Sequence, residues 1–289
     1  MKTLELRAHA KINLYLDVLG KRGDGYHDIQ SVMQSLELAD EISLSEESMD
    51  IGVVCSFPLP REENLVWKAA KLLRDEVGVE RGALIEITKH IPVAAGLAGG
   101  SADVAAVLMG LNLLWDLDLS HDRLLDLGER IGADVPFCLK GGTCLMEGKG
   151  ERVTSVASLP HVWVVVAKPD FEVSTGWAYD RLDRMGISSL LSISEMLAAL
   201  ERGDLREISS LLANIFERVM IEEHPEIESL KKKSIEAGAL GALMSGSGPS
   251  VFALFEGRKE AEKAARLLEH LCSTVIVTTT YPCGWDILC

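Results

Sequence analysis

The segment Pro92-Val93-Ala94-Ala95-Gly96-Leu97-Ala98-Gly99-Gly100-Ser101-Ala102-Asp103 stands just ahead of an apolar stretch with helical spacing. Small residues at Ala94, Ala95, Gly96, Ala98, Gly99 and Gly100 let a ligand approach the main chain closely. A helix that starts here presents unpaired N–H groups, and the positive end of its dipole, to whatever sits in the loop. Phosphate is the natural occupant. No Gly-Lys-[Ser/Thr] closes the segment and it holds no Gly-x-Gly-x-x-Gly, so it is neither of the two common nucleotide fingerprints. The plainer alternative is a glycine-rich connection packed tightly on a neighbouring helix.

Other groups suit phosphoryl transfer or recognition. Lys11 and Asn13 share one face of an alternating segment, where an ammonium beside an amide can orient a hydroxyl or a phosphate; otherwise they form a solvated edge face. Asp134 lies in Gly132-Ala-Asp-Val-Pro136, after a helix end and before a proline-stiffened stretch, so a rigid turn places its carboxylate. An Asp near a Lys can accept a substrate hydroxyl proton, or it can bond its own turn amides. Tyr26 and His27 can stack on a planar ring and bond its edge, or pack a turn. Met244-Ser-Gly246-Ser247-Gly248-Pro249 is a backbone turn able to reach toward residues 92–102, or a plain hairpin. Lys231-Lys-Lys233 reads as a solvated helix face.

Positioning these groups takes strands and helices. From Ile12, the residues Ile12, Leu14, Leu16 and Val18 point one way while Lys11, Asn13, Tyr15 and Asp17 point the other, which predicts a half-buried strand with a polar second face. Residues 21–25 break it as a turn. Spacing predicts helices over 64–77, 101–114 and 120–131, the last with Ser120 as N-cap and Gly132 past its end, and an alternating strand over 83–91. Further on come a buried strand over 161–167, helices over 174–185, 194–218 and 225–237, apolar strands over 240–244 and 251–255, a helix over 259–271 and a strand over 274–280. Strands and helices mix without a regular βα beat, which predicts an α+β chain of two domains, 1–155 and 156–289.

Composition narrows the function. With 289 residues, 47% hydrophobic and 25% charged, the chain reads as an ordinary globular protein that needs no disulfides to fold. A net charge of −15 repels phosphate backbones and disfavours nucleic-acid binding, but main-chain amides at a helix start still bind a small phosphorylated ligand. The six cysteines are scattered, without Cys-x-x-Cys or a zinc-spaced His pair, and read as free small hydrophobes with reduced thiols. No basic-then-apolar leader and no uncharged apolar run near 18 residues occur, so the expectation is a cytoplasmic protein without a membrane partner. Nothing here assigns an oligomeric state.

Lys11 with Asn13, the Pro92–Asp103 loop and Ser245-Gly-Ser-Gly248 together resemble the three motifs of the GHMP small-molecule kinases, in order and spacing, over nearly the whole chain. Ala10-Lys-Ile-Asn-Leu14, Lys21-Arg-Gly-Asp-Gly-Tyr-His27 and Gly132-Ala-Asp-Val-Pro-Phe137 are similar to the branch of that family whose acceptor carries a cytidine diphosphate. The resemblance implies a two-domain GHMP kinase fold, with an N-terminal domain like ribosomal protein S5 domain 2 and a ferredoxin-like C-terminal domain. It also implies ATP and Mg2+, and phosphorylation of a hydroxyl on a small cytidyl-diphosphate substrate. Carried over position by position, Asp134 is the general base, Lys11 its partner, and residues 92–102 the ATP phosphate loop. Tyr26 and His27 fall on the cytosine pocket and Asn13 on a substrate contact. Thr175 and Tyr179 match a polar substrate neighbour and a second aromatic against the cytosine, and Gly246, Ser247 and Gly248 the turn near the phosphates. No carboxylate declares itself a metal ligand; Ser101 is the contributor near the metal. Ala94, Ala95 and Ala98 stand where the family often has glycine, and alanine keeps the close approach if φ stays negative. The competing readings are a GHMP kinase for homoserine, mevalonate or a sugar, which needs no Tyr26-His27 pair; a non-catalytic regulator, opposed by the presence of both Lys11 and Asp134; and an RNA-binding protein, opposed by the −15 charge.

Overall fold

Apolar alternation draws the first two strands into a long antiparallel pair, β1 (Thr3–Lys21) and β2 (His27–Glu47), in a computed structural model that describes residues 2–47, 49–57, 60, 63–186 and 192–288. Contrary to the half-buried expectation, β1 is buried on both faces from Ala8 to Val18. The apolar face meets the core, while Lys11 on the polar face is roofed by the 92–98 loop and the 245–248 turn.

The sheet continues through β3 (Ile51–Cys55) and β4 (Gly82–Thr88), and later through β5 (Thr143–Gly148) and β6 (Arg152–Ser155), with β5 on the first half of β2 and β4 on the second. Between these strands come α1 (Leu65–Val77), capped by the Asn64 side chain, α2 (Gly99–Leu114), α3 (His121–Glu129), capped by Ser120, and the short α4 (Val135–Lys140). α2 is apolar nearly all round and lies buried against the sheet. At Gly110 it touches the sheet so closely that a Cβ would sit 2.3 Å from Leu44 and 2.5 Å from Leu6, so only glycine allows the contact.

A second, antiparallel sheet holds β7 (Trp163–Lys168), β9 (Gly241–Met244), β10 (Val251–Phe255) and β11 (Thr274–Thr279) in the order β11-β7-β10-β9. Helices α5 (Thr175–Met185) to α9 (Pro225–Glu236) separate β7 from β9, and α10 (Arg258–Leu268) separates β10 from β11. Numbered within the sheet, the strands lie 4-1-3-2, the ferredoxin-like order.

The helix expected over 194–218 is not continuous. Gly203, with φ +66°, ends α6 (Ile193–Arg202), and Asp204 caps α7 (Leu205–Ser210); the two-residue strand β8 (Ala213–Asn214) and α8 (Glu217–Glu223) follow. β8 pairs with β1, β12 (Trp285–Ile287) pairs with β1 from the other side, and Met196, Leu200 and Ile208 join the core of the first sheet, so residues beyond 156 pack into both halves. No helix among the described residues is long and apolar enough to cross a membrane. Cys55, Cys138, Cys144, Cys272 and Cys283 are unpaired thiols; Cys289 lies outside the described residues.

Candidate active site

β1 carries Lys11 into the interior, where it is only 3% exposed, and three polar contacts fix its ammonium. Nζ donates to Asn13 Oδ1 at 2.8 Å and to the Gly96 carbonyl at 3.0 Å, and lies 3.7 Å from Asp134 Oδ2. Asn13 is held in turn, donating from Nδ2 to Ser31 Oγ, which donates to the Tyr15 carbonyl. Both polar ends of Asn13 are thus engaged in aiming Lys11. Asp134 occupies the N-cap position of α4 but its side chain makes no cap bond, so its carboxylate is left facing the cleft rather than its own turn. At 3.7 Å the Lys11–Asp134 pair is too long for a direct hydrogen bond, and an oxygen within reach of both can bridge them.

The 92–98 loop arches over Lys11. Lys11 N–H donates to the Leu97 carbonyl, and Ser245 Oγ donates to the Gly96 carbonyl at 2.9 Å. Gly96 has φ +75°, and a Cβ there would lie 2.2 Å from the Ser245 carbonyl oxygen. The 245–248 turn therefore packs on the loop instead of forming a free hairpin, and Asn214 Nδ2 secures it by donating to the Met244 and Gly246 carbonyls at 2.8 Å each. Alanine φ is not negative throughout, as the close-approach argument required. Ala94 and Ala98 adopt φ +51° and +57°, a left-handed conformation that costs alanine about 1–2 kcal/mol. α2 begins at Gly99, without a side-chain cap, leaving its first N–H groups without intrahelical partners.

A cavity of about 540 Å³ gathers Lys11, Asn13, residues 92–101, Asp134, Thr175, Tyr179, Gly246 and Ser247. Ala102 turns into the core, and Gly248, Tyr26 and His27 do not line it. Tyr26 stands at the surface, 61% exposed, with Lys149 Nζ 5.5 Å from its ring. His27 connects to the cavity through Tyr179: the two rings stack with centroids 4.7 Å apart, and Tyr179 meets Phe216 edge-on. Burial, with the nearby Asp134 charge behind it, pushes the Tyr179 hydroxyl up to about 12. Thr175 Oγ1 and Ser247 Oγ are 3.0 Å apart, closing the cleft from the second-sheet side.

Profiles of two families match the chain, GHMP kinases N terminal domain over residues 64–142 and GHMP kinases C terminal over residues 196–274. A relative from Alkaliphilus metalliredigens, named 4-diphosphocytidyl-2-C-methyl-D-erythritol kinase, is 43% identical over 284 residues, covering 97% of this chain and 98% of its own. The chain belongs to the GHMP kinase family. A crystal structure of a 4-(cytidine 5'-diphospho)-2C-methyl-D-erythritol kinase superimposes with a TM-score of 0.81 at 35% identity, over 96% of this chain and 99% of that one. A homoserine kinase from Cytophaga hutchinsonii shares the fold with a TM-score of 0.79 at 22% identity, over 100% of this chain and 98% of that one. The α+β architecture of two sheets described above is the GHMP kinase fold.

In this GHMP kinase several residues near the cleft carry no sequence signal of their own. Part of the cavity wall is apolar, lined by Phe57, Leu65, Ile87 and Ile91 from α1, β4 and the connections after β3 and β4. Asp183, on α5, accepts from His27 Nε2 at 2.8 Å and from Lys21 Nζ at 2.6 Å. Those bonds, from Lys21 and then His27, hold its carboxyl below the usual carboxylate range. Beneath the loop, Lys89 sits between Asp40 and Asp103, and desolvation pushes the Asp103 carboxyl above the usual carboxylate range against the pull of the Lys89 ammonium.

Proposed function

We propose that the protein is an ATP-dependent kinase that phosphorylates the 2-hydroxyl of 4-diphosphocytidyl-2-C-methyl-D-erythritol, in the non-mevalonate route to isoprenoid precursors, and that it acts in the cytoplasm on small molecules. The observation that carries the chemistry is the placement of Lys11 and Asp134 opposite the 92–102 loop in one cavity. The choice of acceptor rests on likeness to the relative from A. metalliredigens over 97% of the chain.

In this reading the ATP phosphates lie on the loop, facing the unpaired N–H groups of α2, and the apolar part of the wall takes the adenine. Asp134 accepts the acceptor's hydroxyl proton as that oxygen bonds the γ-phosphorus and the bond to ADP breaks, while Lys11 steadies the same oxygen. Because the transition state is loose, most of the rate comes from alignment and charge stabilisation. His27 and Tyr179 form a wall for the cytosine, with Tyr26 at its rim and Thr175 and Asn13 nearby.

Among the described residues no group of three or more His, Cys, Asp or Glu side chains could hold a metal ion. The donor at the loop is Ser101, whose Oγ lies 3.7 Å from where a Cβ on Gly132 would stand, beside the turn that carries Asp134. One protein hydroxyl fits a Mg2+ that keeps mostly nucleotide and water oxygens, and Ser101 would hold it. Bound there, the ion neutralises charge on the phosphate oxygens.

The test is ADP release with ATP and Mg2+, comparing 4-diphosphocytidyl-2-C-methyl-D-erythritol with homoserine and mevalonate. Turnover with the cytidyl acceptor alone supports the reading. Turnover with another alcohol moves the protein to a sibling kinase, and ATP binding without any turnover marks a regulator.

A further inference from the structure

We propose that Asp40, Lys89 and Asp103 are positioning residues for the nucleotide, a buried ionic clasp that joins the two ends of the phosphate loop and sets the span of its arch. The inference rests on the assignment of residues 92–102 to the ATP phosphates.

The three residues are far apart in sequence: Asp40 on β2, Lys89 just past the end of β4, and Asp103 in the second turn of α2. Their side chains are 0%, 13% and 6% exposed. Asp40 Oδ1 accepts the His90 N–H at 2.6 Å and the Ile91 N–H at 2.8 Å, which are the last amides before the loop. Its other oxygen accepts from Lys89 Nζ, and Lys89 Nζ also donates to Asp103 Oδ2 at 2.6 Å, beyond the far end of the loop. The two ends touch: a Cβ on Gly99 would lie 3.0 Å from Ile91 Cγ2 and 3.3 Å from Lys89 Nζ. Between them the seven residues 92–98 must span the gap with left-handed φ at Ala94, Gly96 and Ala98. Such backbone persists only where its surroundings over-determine it.

Stability alone does not explain this cluster. The cluster is ionisable and buried, and Asp103 Oδ1 has no hydrogen-bond partner among the described residues. Well-packed apolar residues commonly stabilise a core as well as a buried ion pair does. What the charged arrangement adds is direction: one carboxylate fixes the two amides that launch the loop, and one ammonium ties that launch point to the helix whose N–H groups face the phosphates. The Lys11–Asn13–Ser31 chain, which aims the transfer chemistry, has no member in the clasp. Disturbing the clasp should therefore weaken the nucleotide and spare the acceptor.

The experiment replaces Asp103 by the isosteric Asn and measures three quantities on the full chain: affinity for the non-hydrolysable ATP analogue AMP-PNP by calorimetry, and KM for ATP and for the cytidyl acceptor by turnover. Asp103→Asn is expected to weaken AMP-PNP and raise KM for ATP by about tenfold, with KM for the acceptor held within about twofold, since a misplacement near 1 Å is costly only to the partner misplaced. Unchanged AMP-PNP affinity, or a parallel rise in both KM values, would overturn the proposal. If Asp103→Asn does not fold, Lys89→Arg keeps the charge but replaces the compact ammonium by a wider fork, and the same split is expected. Failure of both variants to fold would assign the cluster to the fold alone and also overturn it. Should the wild type not turn over the cytidyl acceptor, the acceptor reading falls while the AMP-PNP comparison still decides the clasp.

Discussion

On the nucleotide side of the cleft the fixing groups are withdrawn from water, whereas on the acceptor side they sit where water reaches them. The side chains of Asp40, Lys89 and Asp103 are 0%, 13% and 6% exposed, and the last two amides before the loop complete the hydrogen bonds of Asp40. His27 is instead held by Asp183, 29% exposed, which Lys21, 54% exposed, also reaches, and Tyr26 stands in solvent. Charges buried among fixed dipoles are screened little and give one rigid geometry, while exposed pairs contribute about 0–1 kcal/mol and yield easily. The difference fits the two tasks. Phosphoryl transfer demands exact alignment before the reaction starts, whereas recognition of a base can rely on stacked rings that settle around it.

The largest effect should follow from breaking the rigid side at its tightest point. Gly96→Ala places a methyl group 2.2 Å from the Ser245 carbonyl at φ +75°, so the turn must move away from the loop. Loss of about 1–3 kcal/mol in stability by denaturant unfolding, together with much weaker AMP-PNP binding, is the expected outcome. Wild-type stability and affinity would show that the loop is not rigid. On the acceptor side, Asp183→Asn should leave stability within about 1 kcal/mol because Asp183 is 29% exposed and its Lys21 partner 54%. It should nevertheless raise KM for the cytidyl acceptor a few fold, with KM for ATP unchanged, by freeing the His27 ring. Equal changes in both KM values would erase the contrast between the sides.

A smaller effect probes the buried face of β1 through pH. His9, two residues before Lys11, is 1% exposed; its Nδ1 bonds the Leu36 carbonyl and its ring stacks on Tyr281, with Arg7 and Asp286 adjacent. Burial lowers its pKa from the ordinary value near 6.5, so as pH falls below about 6.5 the unfolded chain takes up a proton that the folded chain refuses. Stability therefore falls as the pH drops below about 6.5, and His9→Gln should flatten that slope in thermal unfolding. An unchanged slope would mean the buried face does not control protonation.

Much of this site was legible in the sequence because its signals are local. The glycine-rich loop, the Lys11–Asn13 spacing and Gly132-Ala-Asp134 are short strings, and α1 and α3 begin at the caps that Asn64 and Ser120 provide. What stayed hidden depends on pairing across the chain. Lys89 meets Asp40 from 49 residues away and His27 meets Asp183 across 156, distances no spacing rule spans. The polar face of β1 looked solvated because the turn that roofs it lies more than 230 residues downstream of Lys11. The helix over 194–218 read as continuous because its apolar spacing outlasts Gly203 and Asp204, whose capping ends one helix and starts the next. Ala94 and Ala98 gave no sign of left-handed backbone, since the packing that imposes it comes from the turn and the helix start together.

The most direct test of the account is Asp134→Asn, with kcat on the cytidyl acceptor and AMP-PNP affinity measured on the same preparation. The account predicts that kcat falls by about 10²-fold or more while AMP-PNP affinity stays within about twofold, because the base is lost and the phosphate loop is untouched. Turnover at the wild-type rate would contradict it.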